Sequence, residues 1–528
     1  MNSATQYSDR VFVSARTDGG QMNKTYADLE TDIMGFGKAL SYKYGSDIRM
    51  GIVGENSYQW IVCYYAALYF GWVVVPLDRD LPPKGLAHII READIHVLAV
   101  GKDCLEKIQE IRADLKNVRE FIMINTNERS CEYSYRISLR ELVTTGLEEH
   151  GPFDLQPIGE NDTAVIMFTS GTTGVSKGVM LSQRNLLYNC LGTADMLQYM
   201  DQGDHVHLCV LPFHHCLPNM VDILCATYSG GTLCINRGLK ELTSDLQEYR
   251  PTHLISVPLI AGGLIHKITT ALKKSPYTDE ERQERISEFF GGRLRLVVTG
   301  GAMMPEETVL AYKKAGIALM RGYGITECTA CVSMMSPLRN DYNNTTIGTP
   351  IWCHQVKIID GEICVFGESV MGGYYKNPEA TAEAFYGEWL RTGDLGSLDA
   401  KGDLYIEGRI KNVIILEDGN NVYPEEIEEA LLSHADIEEC VVFEYTQANR
   451  RPVIAAIIRP LDTYHHSIES DGVMKYFSDI IAQINETLPV YKQVIKILLT
   501  AREFEKTTTR KVIRSKVCER IMKGGAIV

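Results

Sequence analysis

Long uncharged apolar runs are almost missing from this 528-residue chain, and so is any excess of positive charge. The one run that needs a test is IVCYYAALYFGWVVVPL at 61–77. A membrane-spanning helix takes roughly 20 apolar residues; this run is shorter, and Gly71 and Pro76 interrupt it. It reads as a buried helix, a glycine turn and a buried strand, and no membrane span is expected. The opening MNSATQYSDRVFVSARTDGG has no apolar core of the secretory type. The 14 cysteines are scattered, with no pair of CxxC motifs at zinc-site spacing. Thiols in a reducing, cytoplasmic setting are the expectation. The formal net charge of −15 disfavours general binding of nucleic acid or of anionic membrane surfaces. Any positive charge for a phosphate-rich ligand must be local.

What is present is ordinary globular material, 45% hydrophobic and 23% charged. At roughly 150 residues per domain, the length predicts three or four domains or subdomains. Short β-rich runs (AVIMF at 164–168, HVHLCVL at 205–211, HLISV at 253–257, LRLVV at 294–298) alternate with helical patterns at 183–200, 217–228, 258–272 and 305–315. That alternation predicts α/β layers with largely parallel sheets. The charged stretch 273–290 reads as a surface helix or loop. After about residue 345 short strands and glycine turns predict a small β-rich, barrel-like region through 408. From 411 a compact α/β pattern returns: NVIIL, a helix opening at Pro424, ECVVFEY, RPVIAAIIRP, a helix near 471–487 and VIKILL. The expected organisation is a large N-terminal domain over 1–410 and a small domain over 411–528, hinged near Lys411.

The most informative segment is FTSGTTGVSKGVMLS, 168–182. A strand-like run leads into Thr169, Ser170, Gly171, Thr172, Thr173, Gly174, Val175, Ser176 and Lys177. Glycines let backbone N–H groups face one anion, hydroxyls add donors with little bulk, and Lys177 brings a compact charge to phosphate oxygens. A flexible linker seldom divides two apolar runs so abruptly. The spacing is not GxxxxGK[ST], which disfavours the motor and switch NTPases.

TSGTTGVSKGV resembles the signature phosphate loop of the adenylate-forming (AMP-binding) enzymes, which include acyl-CoA synthetases, firefly luciferase and the adenylation domains of nonribosomal peptide synthetases. The resemblance runs from about 25 to 516. TYADL (25–29) and GWVVVPLD (71–78) look like N-terminal core pieces. LPFHHC (211–216) resembles a PxFH-type segment, which puts His215 near the substrate carboxylate and His214 where an aromatic is more common. PTHLISVP (251–258) resembles a strand and turn lining the acyl pocket. VVTGGAMMP (297–305) resembles the turn holding base and acyl group, with Gly301 and Ala302. In RGYGITECTA (321–330), Tyr323 can stack an adenine between Gly322 and Gly324, Thr326 offers a hydroxyl to phosphate, and Glu327 a hard oxygen for Mg²⁺. By resemblance WLRTGDLG and LYIEGRIKNVIIL bring Asp394 to the ribose hydroxyls, Arg409 to ribose or phosphate, and Lys411 to the hinge. Gly419, in DGNNVYPEEIEEAL, looks like the glycine that approaches a pantetheine arm. FEKTTTRKVIR (504–514) resembles the motif whose lysine, here Lys511, drives adenylation; residues 501–528 hold eight Lys/Arg against three Glu.

The resemblance implies two half-reactions. A carboxylate attacks the α-phosphorus of ATP, with Mg²⁺, Lys177 and the loop hydroxyls holding the β- and γ-phosphates and Lys511 bridging the developing charge. The small domain then rotates about Lys411, and a thiol takes the acyl group as AMP leaves. No carboxylate directly follows His215, which disfavours an α-amino acid, whereas Leu217, Met220 and Ile223 suit an apolar tail or a helix core. A medium- or long-chain fatty acid is the expected substrate, and coenzyme A the expected acceptor. The acidic Glu417-Asp418-Gly419 loop, and Arg510 in place of a common glycine, keep the phosphopantetheine arm of an acyl carrier protein as an alternative. Two readings from other classes are a non-catalytic nucleotide or acyl sensor, disfavoured by the presence of Lys511, Glu327, Asp394 and Arg409, and a dinucleotide oxidoreductase, which lacks GxGxxG.

Overall fold

The computed structural model describes residues 2–17, 19–125, 136–148, 151, 155–169, 176–197, 204–273, 276–301, 304–336, 346–416, 421–446, 452–507 and 512–522. Two large sheets dominate. The first has nine strands, with Ala318–Tyr323, Leu296–Gly300, His253–Ser256, Val206–Cys209, Thr232–Ile235 and Val11–Thr17 running parallel and short antiparallel strands at both edges. The second has eight. Its parallel run is Thr163–Thr169, Val73–Leu77, Arg49–Val53, Val97–Gly101, Glu120–Ile124 and Arg136–Ser138, and Lys177–Ser182 folds back antiparallel on Thr163–Thr169. Most of the parallel strands are buried along nearly their whole length, as expected of strands inside α/β layers.

The 61–77 run is the helix Tyr58–Tyr69, a turn at Gly71 and the buried strand Val73–Leu77. No helix among the described residues is long and apolar enough to cross a membrane. TYADL has a local explanation: Thr25 caps the helix Tyr26–Tyr44, and Asp28 closes a capping box. The predicted helix 217–228 is a single run over 216–228 with a π-helical stretch at Asn219–Cys225. The helix expected over 183–200 is Gln183–Leu197, residues 198–200 lying outside the described residues. The charged 273–290 stretch carries the helix Asp279–Phe289, started by a Thr278–Glu281 capping box.

The β-rich region is an antiparallel five-stranded sheet in which His354–Ile359, Glu362–Gly367, Trp389–Leu398 and Phe385–Tyr386 pair in that order and Leu404–Arg409 joins Trp389–Leu398. One piece of this region leaves it. Gly373–Tyr374 pairs with Val179 and Met180 at the edge of the second large sheet.

Beyond 411 the helix Pro424–Leu432, the strands Ile437–Tyr445, Val453–Pro460 and Lys496–Leu499, and the helix Asp471–Thr487 follow the predicted order. NVIIL contributes only the short strand Ile414–Ile415. The apolar cores here, one around Ile427, Val442 and Phe477 and one around Phe443 and Val517, contain no residue before 414. Residues 414–518 therefore bury their own apolar surface.

Candidate active site at the meeting of the sheets

Ligands of open α/β sheets bind beyond the carboxyl ends of the strands, and the motif residues gather there. Gly300, the last residue of its strand, lies in register with Gly322, the penultimate residue of the neighbouring parallel strand. Gly301 follows at φ +85°, a left-handed turn that glycine allows. Tyr323 is buried and donates its hydroxyl to Asp394 Oδ2 at 2.6 Å. Burial, then the Asp394 charge, pushes the Tyr323 phenol well up, so it remains a donor. Arg409 lies in register with Asp394 on the adjacent strand and holds Oδ1 through Nε at 2.8 Å. Tyr323, Asp394 and Arg409 form one chain, with the Asp394 side chain buried and the guanidinium half-exposed. Arg409, expected on ribose or phosphate, thus spends one N–H on Asp394 and keeps others at the surface. Gly324 has a further constraint: a Cβ there would lie 1.4 Å from the Ala330 carbonyl. The close approach that this glycine permits is first of all the chain's own.

Thr326 and Glu327 sit on a 3₁₀ turn, Thr326–Cys328. The Glu327 carboxylate accepts from Tyr374 at 2.9 Å, and its backbone carbonyl accepts from the Met371 N–H at 2.8 Å. Burial and the adjacent Glu327 raise the Tyr374 phenol. Lys177 Nζ stands over the Tyr374 ring, 4.7 Å from its centroid. Tyr374 thereby joins the lysine of the phosphate loop to the carboxylate of the other sheet. No group of three metal-ligating side chains occurs among the described residues. A single hard carboxylate of this kind suits Mg²⁺, which binds through one or two carboxylates and substrate phosphates rather than an all-protein cage.

On the acyl side, Phe213 is buried against Trp60, ring centroids 5.6 Å apart. His214 and His215 pack with centroids 4.2 Å apart. His214 is largely buried with Nε2 3.7 Å from Asp78 Oδ1, and burial lowers its pKa to about 3, so it is neutral. The Thr326 hydroxyl lies 3.7 Å from Cys216 Sγ, linking the acyl segment to the carboxylate turn. Met220 and Ile223 are fully buried in core clusters, and Leu217 packs against one of them. Asp222, the sole carboxylate on 216–228, faces His207 Nδ1 at 3.2 Å. One CxxC does occur, Cys328 to Cys331; both are buried free thiols.

A cleft of about 1670 Å³ opens between the ends of the two sheets, reached by Glu503, Phe504, Lys506 and Thr507 from the C-terminal part. Its walls carry Arg16, Lys24, Arg79, Lys102, Arg140, Arg237, Lys240 and Lys506 against Asp32, Glu55, Asp80 and Glu503. Five of these cations are ion-paired: Arg16 with Glu248, Lys24 with Asp32, Arg79 with Glu55, Asp80 and Asp103, Arg237 with Asp245 and Glu248, and Lys506 with Glu439 and Glu503.

The sequence pattern of AMP-binding enzymes matches residues 2–375, and that of the AMP-binding enzyme C-terminal domain matches residues 411–523. The chain belongs to the AMP-binding enzyme family. Among curated members, Long-chain-fatty-acid–CoA ligase 6 of Rattus norvegicus is 29% identical over 454 residues, 76% of this chain and 64% of that protein. The chain thus spans a little under two thirds of that relative's length. Long-chain-fatty-acid–CoA ligase FadD15 of Mycobacterium bovis is 28% identical over 492 residues, covering 85% and 79%. Among solved structures, the anthranilate CoA ligase AuaEII with anthranoyl-AMP superposes with a TM-score of 0.82 at 20% identity, covering 98% of this chain and 95% of that one. The A-PCP didomain of the carboxylic acid reductase of Segniliparus rugosus gives 0.84 at 20% identity, covering 99% and 80%.

Within this AMP-binding enzyme, Ser170, Gly171, Thr172, Thr173, Gly174, Ala302, Gly419 and Lys511 lie outside the described residues; Thr169, Ser176 and Lys177 flank the loop. Lys411 is exposed on the 3₁₀ turn Ile410–Asn412. Lys506 and Val512 form an antiparallel bridge on either side of 507–511. Tyr374 was not legible as a site residue. Nothing in MGGYYKNP separates it from ordinary turn residues, since its partners are remote in sequence.

Proposed function

We propose that this AMP-binding enzyme is an ATP-dependent acid–thiol ligase that forms an acyl-adenylate from a fatty acid and passes the acyl group to coenzyme A. The observation that carries the reading is the convergence of Lys177, Tyr374 and Glu327 from three separate chain segments beside the Tyr323–Asp394–Arg409 chain. Such an arrangement can hold a triphosphate at one end and a nucleoside at the other.

In this reading Asp394 and Arg409 receive the ribose, and Gly301, Ala302, Gly322 and Tyr323 line the base. Thr169, Ser170, Thr172, Thr173, Ser176, Lys177 and the loop glycines receive the outer phosphates. Glu327 is the ligand for Mg²⁺, which when bound neutralises phosphate charge. Thr326 donates to a phosphate oxygen, and His215 lies beside the substrate carboxylate. The carboxylate oxygen attacks the α-phosphorus in line, the α–β bridge bond breaks, and pyrophosphate leaves. Lys511 offsets the charge that builds between acyl and α-phosphate oxygens. The C-terminal domain, 411–528, then turns about Lys411, withdrawing Lys511 and bringing Gly419 to the thiol. The thiol attacks the acyl carbon and AMP departs with the bonding pair.

Three observations favour an apolar acid. The curated relatives are named for long-chain fatty acids. Leu217, only partly buried, follows His215, whereas Met220 and Ile223 belong to the core. Asp222 is engaged by His207 rather than available to a substrate ammonium. For the acceptor, Lys102, Arg140 and Lys240 on the cleft wall suit the phosphates of coenzyme A. The acidic segment 417–418 favours instead a carrier-protein arm, which brings fewer phosphates. The thirteen described cysteines are unpaired, in keeping with a reducing cytoplasm.

A panel of carboxylic acids read by pyrophosphate release, with Mg²⁺ and with coenzyme A as acceptor, tests the proposal. Acid-dependent release with acyl-CoA formation is expected. Release with acylation only of a carrier protein would move the acceptor, and no release with any acid would remove the ligase reading.

A further inference from the structure

The acyl-site segment Leu211–His215 leaves the first sheet, yet the groups that fix it come from the second. Asn56 follows the strand Arg49–Val53 and precedes Ser57, which caps the helix Tyr58–Tyr69. Its Nδ2 donates to the Leu211 carbonyl at 2.7 Å, and its Oδ1 accepts from the Phe213 N–H at 2.9 Å. Pro212, between them, has no N–H to offer a neighbouring strand. The amide of Asn56 therefore does for this segment what a paired strand does elsewhere, supplying one donor and one acceptor in the spacing of a backbone bridge. The same helix reinforces the hold. Trp60 packs on Phe213, and Tyr64 donates to Asn219 Oδ1 at 2.7 Å, while the Asn219 N–H donates to the His215 carbonyl at 3.1 Å.

We infer that Asn56 is the positioning residue of the acyl site: it fixes His215 at the substrate carboxylate by clamping the backbone two residues upstream. Asn56 also lines the large cleft, so it stands where the wall of that cleft meets the acyl segment. Asn is the side chain the position requires. An ionised Asp could accept from Phe213 but would set a carboxylate oxygen against the Leu211 carbonyl, and Ala would leave both peptide groups without a partner. The inference rests on the acyl-site role proposed above for His215.

The test compares N56A, N56D and wild-type protein. Both variants are expected to raise the KM for the acid about tenfold in pyrophosphate release while leaving the KM for ATP within about twofold. Adding N56A to H215A should cost far less than adding it to wild type, because Asn56 acts through His215; a merely structural role would give additive losses. A second readout needs no turnover. In histidine-labelled protein the His215 ring signal, assigned by its loss in H215A, should move in N56A and N56D, while those of His207 and His253 stay. An unmoved His215 signal, an unchanged acid KM, or N56D equal to wild type would overturn the positioning role. Should wild-type protein release no pyrophosphate with any acid, the ligase reading fails, and the ring signal still decides whether Asn56 orients His215.

Discussion

The Tyr323 hydroxyl reaches Asp394 at 2.6 Å across 71 residues of chain, and Arg409 holds the other oxygen of the same carboxylate. A carboxylate buried this deeply costs free energy unless both oxygens are engaged. Here one neutral donor and one cation engage them, which fixes the orientation of the Asp394 carboxylate. Y323F removes the donor and keeps the ring. A stability loss of about 1–3 kcal/mol is expected, with AMP affinity falling while the adenine absorbance shift on binding persists. Calorimetric titration with AMP, beside thermal melting, checks this; unchanged AMP affinity would disconnect the pair from nucleotide binding.

The Tyr374–Glu327 contact makes a separate claim on Mg²⁺. E327Q preserves an acceptor for Tyr374 and removes the charge. The Mg²⁺ concentration giving half-maximal pyrophosphate release should rise at least about tenfold, in line with loss of a hard anionic ligand. Y374F should shift it less, since the carboxylate remains but is less well oriented. A Mg²⁺ titration of the three proteins reads the order, and equal curves for wild type and E327Q would remove Glu327 from the metal.

The proposed role of Lys511 separates the two half-reactions. K511A is expected to stop acid-dependent pyrophosphate exchange, with a loss of roughly 100-fold or more, and to spare thioester formation from supplied acyl-AMP. Equal loss in both assays would contradict the domain rotation about Lys411.

Acid should destabilise the protein early. Burial keeps His214 neutral to about pH 3 and His354 to about pH 4, and lowers His253 well below its ordinary value. The unfolded chain takes up these protons near pH 6.5 and the folded chain does not. Stability is therefore complete above pH 6.5 and declines as pH falls toward the folded values, by up to about 1.4 kcal/mol per pH unit for each histidine. H214F cannot take up that proton in either state. Its melting temperature should fall less than that of wild type between pH 7 and pH 5, and parallel declines would show that His214 is not among the groups responsible.

Contiguous motifs were legible because their chemistry is local. TYADL shows its helix start in the spacing of Thr25 and Asp28. The strand–helix alternation likewise predicted α/β layers with largely parallel sheets, and the small C-terminal α/β unit keeps its own core. The π-helical stretch at Asn219–Cys225 was not legible, since its residues also suit an α-helix.

The amino-acid sequence by itself determined the order of elements and the residue types of the candidate site. Only the tertiary structure decided the pairings: Tyr374 with Glu327, Tyr323 and Arg409 with Asp394, and Asn56 with the backbone on either side of Pro212. Periodicity and turn chemistry act over a few residues. These contacts join segments that meet only after two sheets and a β-rich subdomain have packed, so their geometry is set by sheet order and register rather than by any local pattern.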